Sequence, residues 1–233
     1  MTEESRLKAL SKYNPIRYTQ DRRPKSNYPK KLISYLNKSF LSNHKNGSVL
    51  DLGCGRGDFF KEFKDLNFDT HGIDISVSEN FHSNHNITIQ DIDGNLLPYP
   101  DNSFDIIFNK SVIEHIENTD TFISECFRIL KPNGICITLT PDWKAQYKHF
   151  YDDYTHVKPF TLMGLEDAFL GHNFTLIKSQ RFRQLPFIWK FSFLHFFCDI
   201  ITLLPDCLKT VKLVKFSKEW MLLLISTKKE INS

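Results

Sequence analysis

The chain has 233 residues, of which 41% are hydrophobic and 24% charged, which is enough for one substantial core and excludes a collagen, a disordered tail protein and a disulfide-stapled miniprotein. The formal net charge is only +3, but residues 1–31 carry nine Lys and Arg against three acids, and residues 205–233 carry six against three. Such basic ends suit a phosphate-bearing partner or an anionic membrane surface, although a solvated face also explains them.

The first predicted elements alternate strands with helices. After a polar arm, Pro29 begins a helix that runs to Phe40 with apolar residues at helical spacing. A helix over 58–67 follows the first strand, and apolar strands are predicted over 49–52, 70–75, 87–89 and 104–109.

The same alternation continues through the second half of the chain. A helix over 120–130 is stopped by Pro132 and Gly134, and a helix over 161–170 ends at Gly171. Further strands are predicted over 135–139, 174–182 and 220–227. Strands that alternate with helices predict an α/β fold with a parallel sheet covered on both faces. Because the last two strands lack a full crossover, either of them could run antiparallel to the rest.

Four parts follow from this order. They are a basic N-terminal arm over 1–31, a core over 32–182, a helical insert or lid over 183–215, and the last strand and tail of the core over 216–233. The insert is far longer than a hairpin connection needs.

A glycine cluster follows the first strand. Gly53, Gly55 and Gly57 fall within five residues of a chain that has nine glycines. Glycines let the backbone bend tightly and approach a ligand, and the end of a first parallel strand is where open α/β sheets bind nucleotides. The spacing lacks the Gly-Lys-Ser/Thr of a P-loop. Asp51 places a carboxylate before the turn, which disfavours a pyrophosphate and favours a ligand with an amino group.

Carboxylates also follow the next two strands. Asp74 ends the second strand, where a carboxylate can accept both hydroxyls of a ribose. Asp91 and Ile92 follow the third strand, where a side-chain acceptor next to a backbone N–H suits an adenine edge. Asp93 is a rival to Asp91. Acids at successive strand ends together with the glycine turn predict a nucleoside site.

The segments VLDLGCGRGDF, GIDIS, IQDIDGNLLPYPDNSFDIIFNKSVIEHI and FRILKPNGICITLTPDW resemble the class I S-adenosylmethionine-dependent methyltransferases, of the methyltransferase type 11 kind. Residues 47–143 match closely, and four motifs occur in the expected order. The resemblance implies a Rossmann-like, doubly wound, seven-stranded, mostly parallel sheet with a reversed last strand, and S-adenosyl-L-methionine as the cofactor.

The resemblance assigns cofactor contacts to matching positions. The acid Asp51 and the glycine loop would hold the methionine end, and the acid after the second strand would hold the ribose. The full predicted cofactor set is Asp51, Gly53, Cys54, Gly55, Gly57, Asp74, Ile75, Asp91, Ile92, Asn109 and Ser111.

Two histidines are the candidate catalytic residues. His115 follows the fourth strand in Val-Ile-Glu-His-Ile, and His156 lies in a loop after the fifth strand that is dense in Tyr, Asp, His and Lys. Either imidazole can take a proton from an acceptor hydroxyl, or serve in packing. The predicted substrate-binding residues of that loop are Tyr151, Asp152, Asp153 and Lys158. His149, Asp152, Asp153 and His156 could chelate a metal, but their spacing matches no dedicated motif, so no metal site is predicted.

The aromatic insert has a helical pattern with a narrow polar stripe. Ser192, His195, Asp199 and Thr202 form the stripe, and Phe, Leu and Ile cover most of the remaining surface. Three interpretations stay open: a lid packed on the sheet, a wall for an apolar substrate or a dimer contact, and a helix lying in a membrane surface through residues 186–205. The low charge of the stripe argues against the membrane, because such helices usually carry Lys or Arg there, and the basic stretch 209–218 argues partly for it.

The predicted function is S-adenosylmethionine-dependent methyl transfer, most readily O-methylation, to a small-molecule, glycan-linked or lipid-linked acceptor. The alternatives are a non-catalytic module that binds the cofactor and a nicotinamide-dependent dehydrogenase, which Asp51 opposes. Nucleic acid is a poor candidate for the acceptor at a pI near 8.5. The five scattered cysteines and the polar N-terminus predict a cytoplasmic protein, with peripheral contact at a membrane surface left open.

Overall fold

The computed structural model describes residues 24–77, 79–191 and 193–229, so most of the predicted basic arm lies outside the described residues. Among the helices of the described part, none is long and apolar enough to cross a bilayer. Eight α-helices lie in that part: α1 Tyr28–Phe40, α2 Asp58–Asp65, α3 Glu79–Ser83, α4 Thr119–Ile129, α5 Trp143–Gln146, α6 Leu162–Gly171, α7 Leu194–Ile201 and α8 Lys212–Lys218.

The described strands form one seven-stranded sheet in the order β3-β2-β1-β4-β5-β7-β6. They are β1 Ser48–Leu52, β2 Asp69–Asp74, β3 Ile87–Ile89, β4 Phe104–Lys110, β5 Leu130–Pro141, β6 Thr175–Arg183 and β7 Trp220–Thr227. The first five strands pair in parallel, and β7 runs antiparallel to both β5 and β6. This confirms the predicted α/β sheet with a reversed last strand.

Most element boundaries agree with the prediction to within two residues, and β5 is the exception. Its pairing with β4 begins at Leu130, five residues before the predicted start, and the register shifts between Phe104 and Ile106. At that irregularity, residues 131–134 of β5 have no paired partners on β4. A strand tolerates proline and glycine at such an unpaired stretch, so Pro132 and Gly134 lie within β5. They stop the helix as predicted, but they do not delay the strand.

Alternating side chains divide the core into two layers. On one face of the sheet, Leu50 and Leu52 of β1 pack in a layer with the apolar sides of α4 and α6. On the other face, Val49 packs in a layer with α1 and α2. Both faces of the sheet are therefore covered, which explains why the central strands are apolar throughout.

The topology positions a crevice at the carboxyl ends of β1 and β4. From β1 the chain moves outward to β2 and β3, and then returns to the other side of β1 as β4. At such a switch point the connections diverge to opposite sides, which leaves room for a ligand. The glycine loop, Asp74 and the segment after β4 all lie at this edge.

Candidate active site

The glycine loop after β1 combines left-handed backbone with close packing. Gly53, Gly55 and Gly57 have φ of 69°, 51° and 74°. A Cβ on Gly53 would lie 2.4 Å from Val112 Cγ2, and one on Gly57 would lie 2.2 Å from the Phe81 ring. At Gly55, by contrast, a Cβ would meet nothing within 4 Å. The outer glycines are fixed by packing, whereas the middle one borders open space where a ligand can approach.

Asp51 lies under this loop as a buried carboxylate. Its side chain is 3% exposed, and Oδ2 has no hydrogen-bond partner among the described residues. Burial raises the pKa of Asp51 well above its usual value, and the charge of Asp74 raises it further, against the backbone N–H of Phe60. An orphaned buried carboxylate oxygen is costly unless a ligand donates to it. The site therefore fits a ligand that brings a cationic donor such as an amino group.

Asp74 anchors the loop from the end of β2. The backbone N–H of Gly55 donates to Asp74 Oδ2 (2.9 Å), and that of Ser76 donates to Oδ1 (3.1 Å). Burial raises the pKa of Asp74, and these N–H groups oppose the shift. Each carboxylate oxygen can accept a second hydrogen bond, so hydroxyl groups of a ligand can still bind there.

The two acids after β3 differ in what they hold. Both oxygens of Asp93 accept backbone N–H groups, from Glu117 and Asn118 (2.9 Å each), at the start of α4. Asp91 Oδ1 accepts the N–H of Asp93 itself (3.0 Å). Asp93 therefore closes the turn onto α4, which favours Asp91 over its rival as the residue that faces a ligand.

Other predicted cofactor residues are held more firmly by the protein. The amide of Asn109 donates to Thr138 Oγ1 (2.9 Å) on β5, and its Oδ1 has no partner among the described residues. Ser111 has φ of 58°, and its N–H donates to Leu139 O (2.8 Å). Cys54 turns its thiol into a small apolar cluster with Phe60. Ile75 is half-buried and Ile92 is buried.

The loop after β5 brings the two candidate histidines together. The backbone N–H groups of Val157 and Lys158 donate to Glu114 O (2.9 and 3.1 Å), which fixes the loop on the segment after β4. The rings of His115 and His156 lie 4.7 Å apart between centroids. Burial lowers the pKa of His156, and the neighbouring His115 lowers it further. His156 is therefore a neutral imidazole at neutral pH.

Glu114 is a further residue of this cluster that the motif analysis did not select. Its side chain is 0% exposed; Oε2 accepts from Thr140 Oγ1 (3.0 Å), and Oε1 has no partner among the described residues. Burial raises the pKa of Glu114, partly offset by its hydrogen bonds and by His156. The sequence signal that could have identified Glu114 is its position next to His115. Its burial depends on tertiary contacts and cannot be seen in the sequence.

The predicted substrate residues of the loop occupy different environments. Tyr151 is exposed and packs edge-on to Phe150, and Asp152 is exposed and pairs with His149 (3.1 Å). Lys158 Nζ donates to Thr119 Oγ1 (2.6 Å), on the side of α4. Asp153 is linked to the two histidines through Thr155, which donates to Asp153 Oδ1 (2.6 Å) and contacts His115 Nδ1.

The insert departs from the usual placement of an amphipathic helix. Arg183, at the end of β6, is buried, and its guanidinium donates to Asp199 Oδ1 (2.6 Å) and Ser217 O (2.9 Å) and lies 3.7 Å from the Trp220 ring centroid. Asp199 of the polar stripe thus binds Arg183 while remaining 63% exposed, and Leu194 and Cys198 are the residues of α7 that pack inward. The aromatic side of α7 faces solvent: Phe193 and Phe196 are each 65% exposed.

A family model described as a methyltransferase domain matches residues 24–179. A Mycolicibacterium smegmatis protein described as a probable S-adenosylmethionine-dependent methyltransferase is 38% identical over 97 residues, covering 40% of this chain and 38% of the relative. A ubiquinone biosynthesis O-methyltransferase of Rhodopseudomonas palustris is 31% identical over 123 residues, covering 47% of this chain and 46% of the relative. The chain thus spans less than half the length of these two relatives.

Among solved structures, the fold is similar to a chain in a complex between the Haloferax volcanii Trm112 methyltransferase activator and its methyltransferase partner. The TM-score is 0.67 at 16% sequence identity, covering 99% of this chain and 100% of that one. At this identity the likeness concerns the fold alone.

Proposed function

The chain belongs to the class I S-adenosylmethionine-dependent methyltransferases, and we propose that it transfers the methyl group to an oxygen of a small, glycan-linked or lipid-linked acceptor. The observation that carries the proposal is the orphaned Oδ2 of buried Asp51 beside the open space at Gly55. That pair suits the amino group of the cofactor.

The cofactor would be held along the carboxyl edge of the sheet. Asp51 binds the amino group, Asp74 the ribose hydroxyls, and Asp91 with the backbone of Ile92 the adenine edge. When bound, S-adenosyl-L-methionine supplies an electrophilic methyl group on a sulfonium. The remaining contacts are assigned to Gly53, Cys54, Gly55, Gly57, Ile75, Asn109 and Ser111.

The acceptor would lie next to His115 and His156. These residues share the crevice with the glycine loop, because Val112, which packs on Gly53, is only three residues before His115. The protein aligns the acceptor oxygen with the methyl group, and a neutral imidazole takes the hydroxyl proton. Burial of His156 favours its neutral form, which is the form that can accept this proton.

An oxygen acceptor is also supported by the Rhodopseudomonas relative, an O-methyltransferase by name. Tyr151 and Asp152 are exposed on the same loop and are assigned to acceptor binding, whereas Asp153 and Lys158 would shape the loop through Thr155 and Thr119. A non-catalytic cofactor-binding module is the competing function. It would use the Asp51 site in the same way but would not need the histidine cluster.

The test is methyl transfer from labelled S-adenosyl-L-methionine to fractionated cell extract, beside calorimetry with S-adenosylhomocysteine. We expect His156→Ala to lower turnover at least tenfold with unchanged S-adenosylhomocysteine affinity. His149→Ala is the matched control, because His149 lies on the same loop but pairs with exposed Asp152. Binding without any transfer by the wild type would favour the module, and wild-type turnover in His156→Ala would remove His156 from catalysis.

We further propose that the insert contacts an anionic membrane surface through residues 186–205. The aromatic side of α7 faces solvent while its polar stripe binds Arg183, so the low charge of that stripe no longer argues against a membrane. Exposed lysines flank the apolar surface, which suits anionic headgroups. They are Lys190, Lys212 and Lys215.

Vesicle sedimentation tests this contact. Wild-type protein should sediment with phosphatidylglycerol-containing vesicles. The double variant with Phe193→Ser and Phe196→Ser should bind these vesicles at least about tenfold more weakly, because neither position can then bury an aromatic ring in the membrane. Met163→Ser is the control, because Met163 is exposed on α6. Equal vesicle binding by the double variant would refute the membrane contact. A wild-type dimer that does not bind vesicles and that dissociates in the double variant would also refute it, because the insert would then be a dimer contact.

A further inference from the structure

Three potential metal ligands meet at the mouth of the crevice. Glu114, His115 and His156 each offer one ligand atom, and these atoms lie within 4.8 Å of one another. Two come from the segment after β4 and one from the loop after β5, so the fold rather than local sequence assembles them. We propose that this Glu-His-His cluster binds a divalent metal ion, which the motif spacing alone does not predict.

The carboxylate of Glu114 gives independent support. The side chain is completely buried, and Oε1 has no partner among the described residues while Oε2 accepts from Thr140. A buried carboxylate with an unsatisfied oxygen is costly, and a divalent cation compensates both its charge and its lone pairs.

Both imidazoles are oriented as metal ligands usually are. His156 Nδ1 lies 2.7 Å from Phe150 O, a carbonyl that can only accept, so the proton is on Nδ1 and the lone pair on Nε2. Metal-binding histidines characteristically donate their second N–H to a carbonyl or carboxylate, which fixes the tautomer and the ring.

A longer relay fixes His115 in the same tautomer. The hydroxyl proton of Thr155 is used on Asp153 (2.6 Å), so Thr155 Oγ1 accepts from His115 Nδ1 (3.0 Å), as does Thr155 O (3.1 Å). Nδ1 therefore carries the proton, and Nε2 the lone pair. Asp153 thus supports a first ligand through Thr155, in the way of an outer-shell residue.

The ligand types indicate which ions fit. Two imidazoles and one carboxylate suit Zn²⁺, Co²⁺, Ni²⁺ or Mn²⁺ better than the all-oxygen sites of Ca²⁺. Three protein ligands leave at least one coordination position open, which is the arrangement of catalytic rather than structural sites.

On the proposed function, from which this step follows, the open position would take the acceptor oxygen. With its lone pair on the ion, His156 would act as a ligand instead of as the base, and the ion would lower the pKa of the bound hydroxyl so that its proton could pass to water. The oxygen lone pair then forms the new O–CH₃ bond while the S–CH₃ bonding pair stays on sulfur. An acceptor with two adjacent oxygens would be favoured, because it can occupy two positions of the ion.

Cobalt(II) is the probe, because its visible absorption reports coordination. The full chain is treated with chelator and titrated with Co²⁺ by absorbance and calorimetry, and separately with S-adenosylhomocysteine. We expect one Co²⁺ per chain for the wild type and for His149→Ala. His156→Ala and the near-isosteric Glu114→Gln should weaken binding by more than about 100-fold, and Thr155→Val by about 10- to 100-fold as a lost outer-shell contact.

Unchanged S-adenosylhomocysteine affinity in each variant shows that it is folded. The proposal is overturned if the wild type binds no stoichiometric Co²⁺, or if His156→Ala and Glu114→Gln bind it as the wild type does. Transfer that persists in chelator without Co²⁺ binding would refute the metal site and leave methyl transfer standing. Stoichiometric Co²⁺ binding without S-adenosylhomocysteine binding would support the metal site and refute the proposed methyl transfer.

Discussion

Asp51→Asn should stabilise the free protein and weaken cofactor binding at the same time. The buried carboxylate has a raised pKa because of desolvation and the nearby charge of Asp74. An acid whose folded-state pKa lies above its unfolded value binds more protons when folded, so the free energy of unfolding falls as pH rises through that window. At neutral pH, which is above the unfolded-state pKa, burial of Asp51 thus destabilises the free fold, and a neutral amide of the same shape removes this effect.

The size of the binding loss follows from the orphaned oxygen. Asp51 Oδ2 has no partner in the described residues and would accept a charged donor from the cofactor. Hydrogen bonds to charged groups contribute about 1.5–3 kcal/mol, which corresponds to roughly a 10- to 150-fold increase in Kd. The amide can still present an oxygen, so the lower half of this range is expected.

Two measurements on one sample test the reasoning. Chemical denaturation at pH 7 should give a higher free energy of unfolding for Asp51→Asn, and the gain should shrink as the pH falls to about 4 and below, where Asp51 becomes protonated in the unfolded state as well. Calorimetry with S-adenosylhomocysteine should show the weaker binding. Asp65→Asn is the control, because Asp65 pairs with Lys61 on the surface. A variant with unchanged affinity, or one less stable than the wild type, would refute the role given to this carboxylate.

Three further predictions concern the loop and the α4 surface. Asp74→Ala should abolish measurable S-adenosylhomocysteine binding in calorimetry, because it removes the ribose acceptor and frees the loop N–H groups; near-normal affinity would contradict the assignment. Gly57→Ala should lower the Tm by several degrees in a thermal scan, since left-handed backbone costs about 1–2 kcal/mol and the added Cβ would lie 2.2 Å from a ring. Gly171→Ala, where a Cβ meets nothing within 4 Å, should leave the Tm unchanged or slightly higher. The hydrogen bond from Arg128 is the main cause that lowers the pKa of Glu125, so Glu125→Gln should be less stable than the wild type at pH 7. In denaturant titrations, this difference in the free energy of unfolding should vanish as the pH falls from about 4.5 through the folded-state pKa. A difference that stays constant with pH would exclude the ion pair as its cause.

The fold could be predicted because its signals are local and repeated. The helix over 120–130 is read from apolar residues at helical spacing, and the structure places α4 there with the same side chains inward. The one large boundary error, at β5, arose where pairing with β4 crosses an irregularity, because register belongs to two strands and not to one.

The candidate site divides in the same way. Asp51, Gly55 and Asp74 could be selected from sequence because each lies near the carboxyl end of β1 or β2, beside the switch point. Glu114 could not, because its burial depends on a loop some forty residues later whose N–H groups bind its carbonyl. The proposed histidine pairing likewise requires two chain segments to meet.

By itself the sequence determined the α/β class, the order of the elements, the glycine loop and the family, because periodicity and motif spacing are properties of neighbouring residues. Only the tertiary structure decided which side of the insert helix faces water. An apolar helix side is normally buried, yet here buried Arg183 needs an anionic partner, and Asp199 on the polar stripe provides it (2.6 Å). Asp199 is itself 63% exposed, while Leu194 and Cys198 of the same helix pack inward, so the aromatic rings on the opposite side of the helix are left exposed.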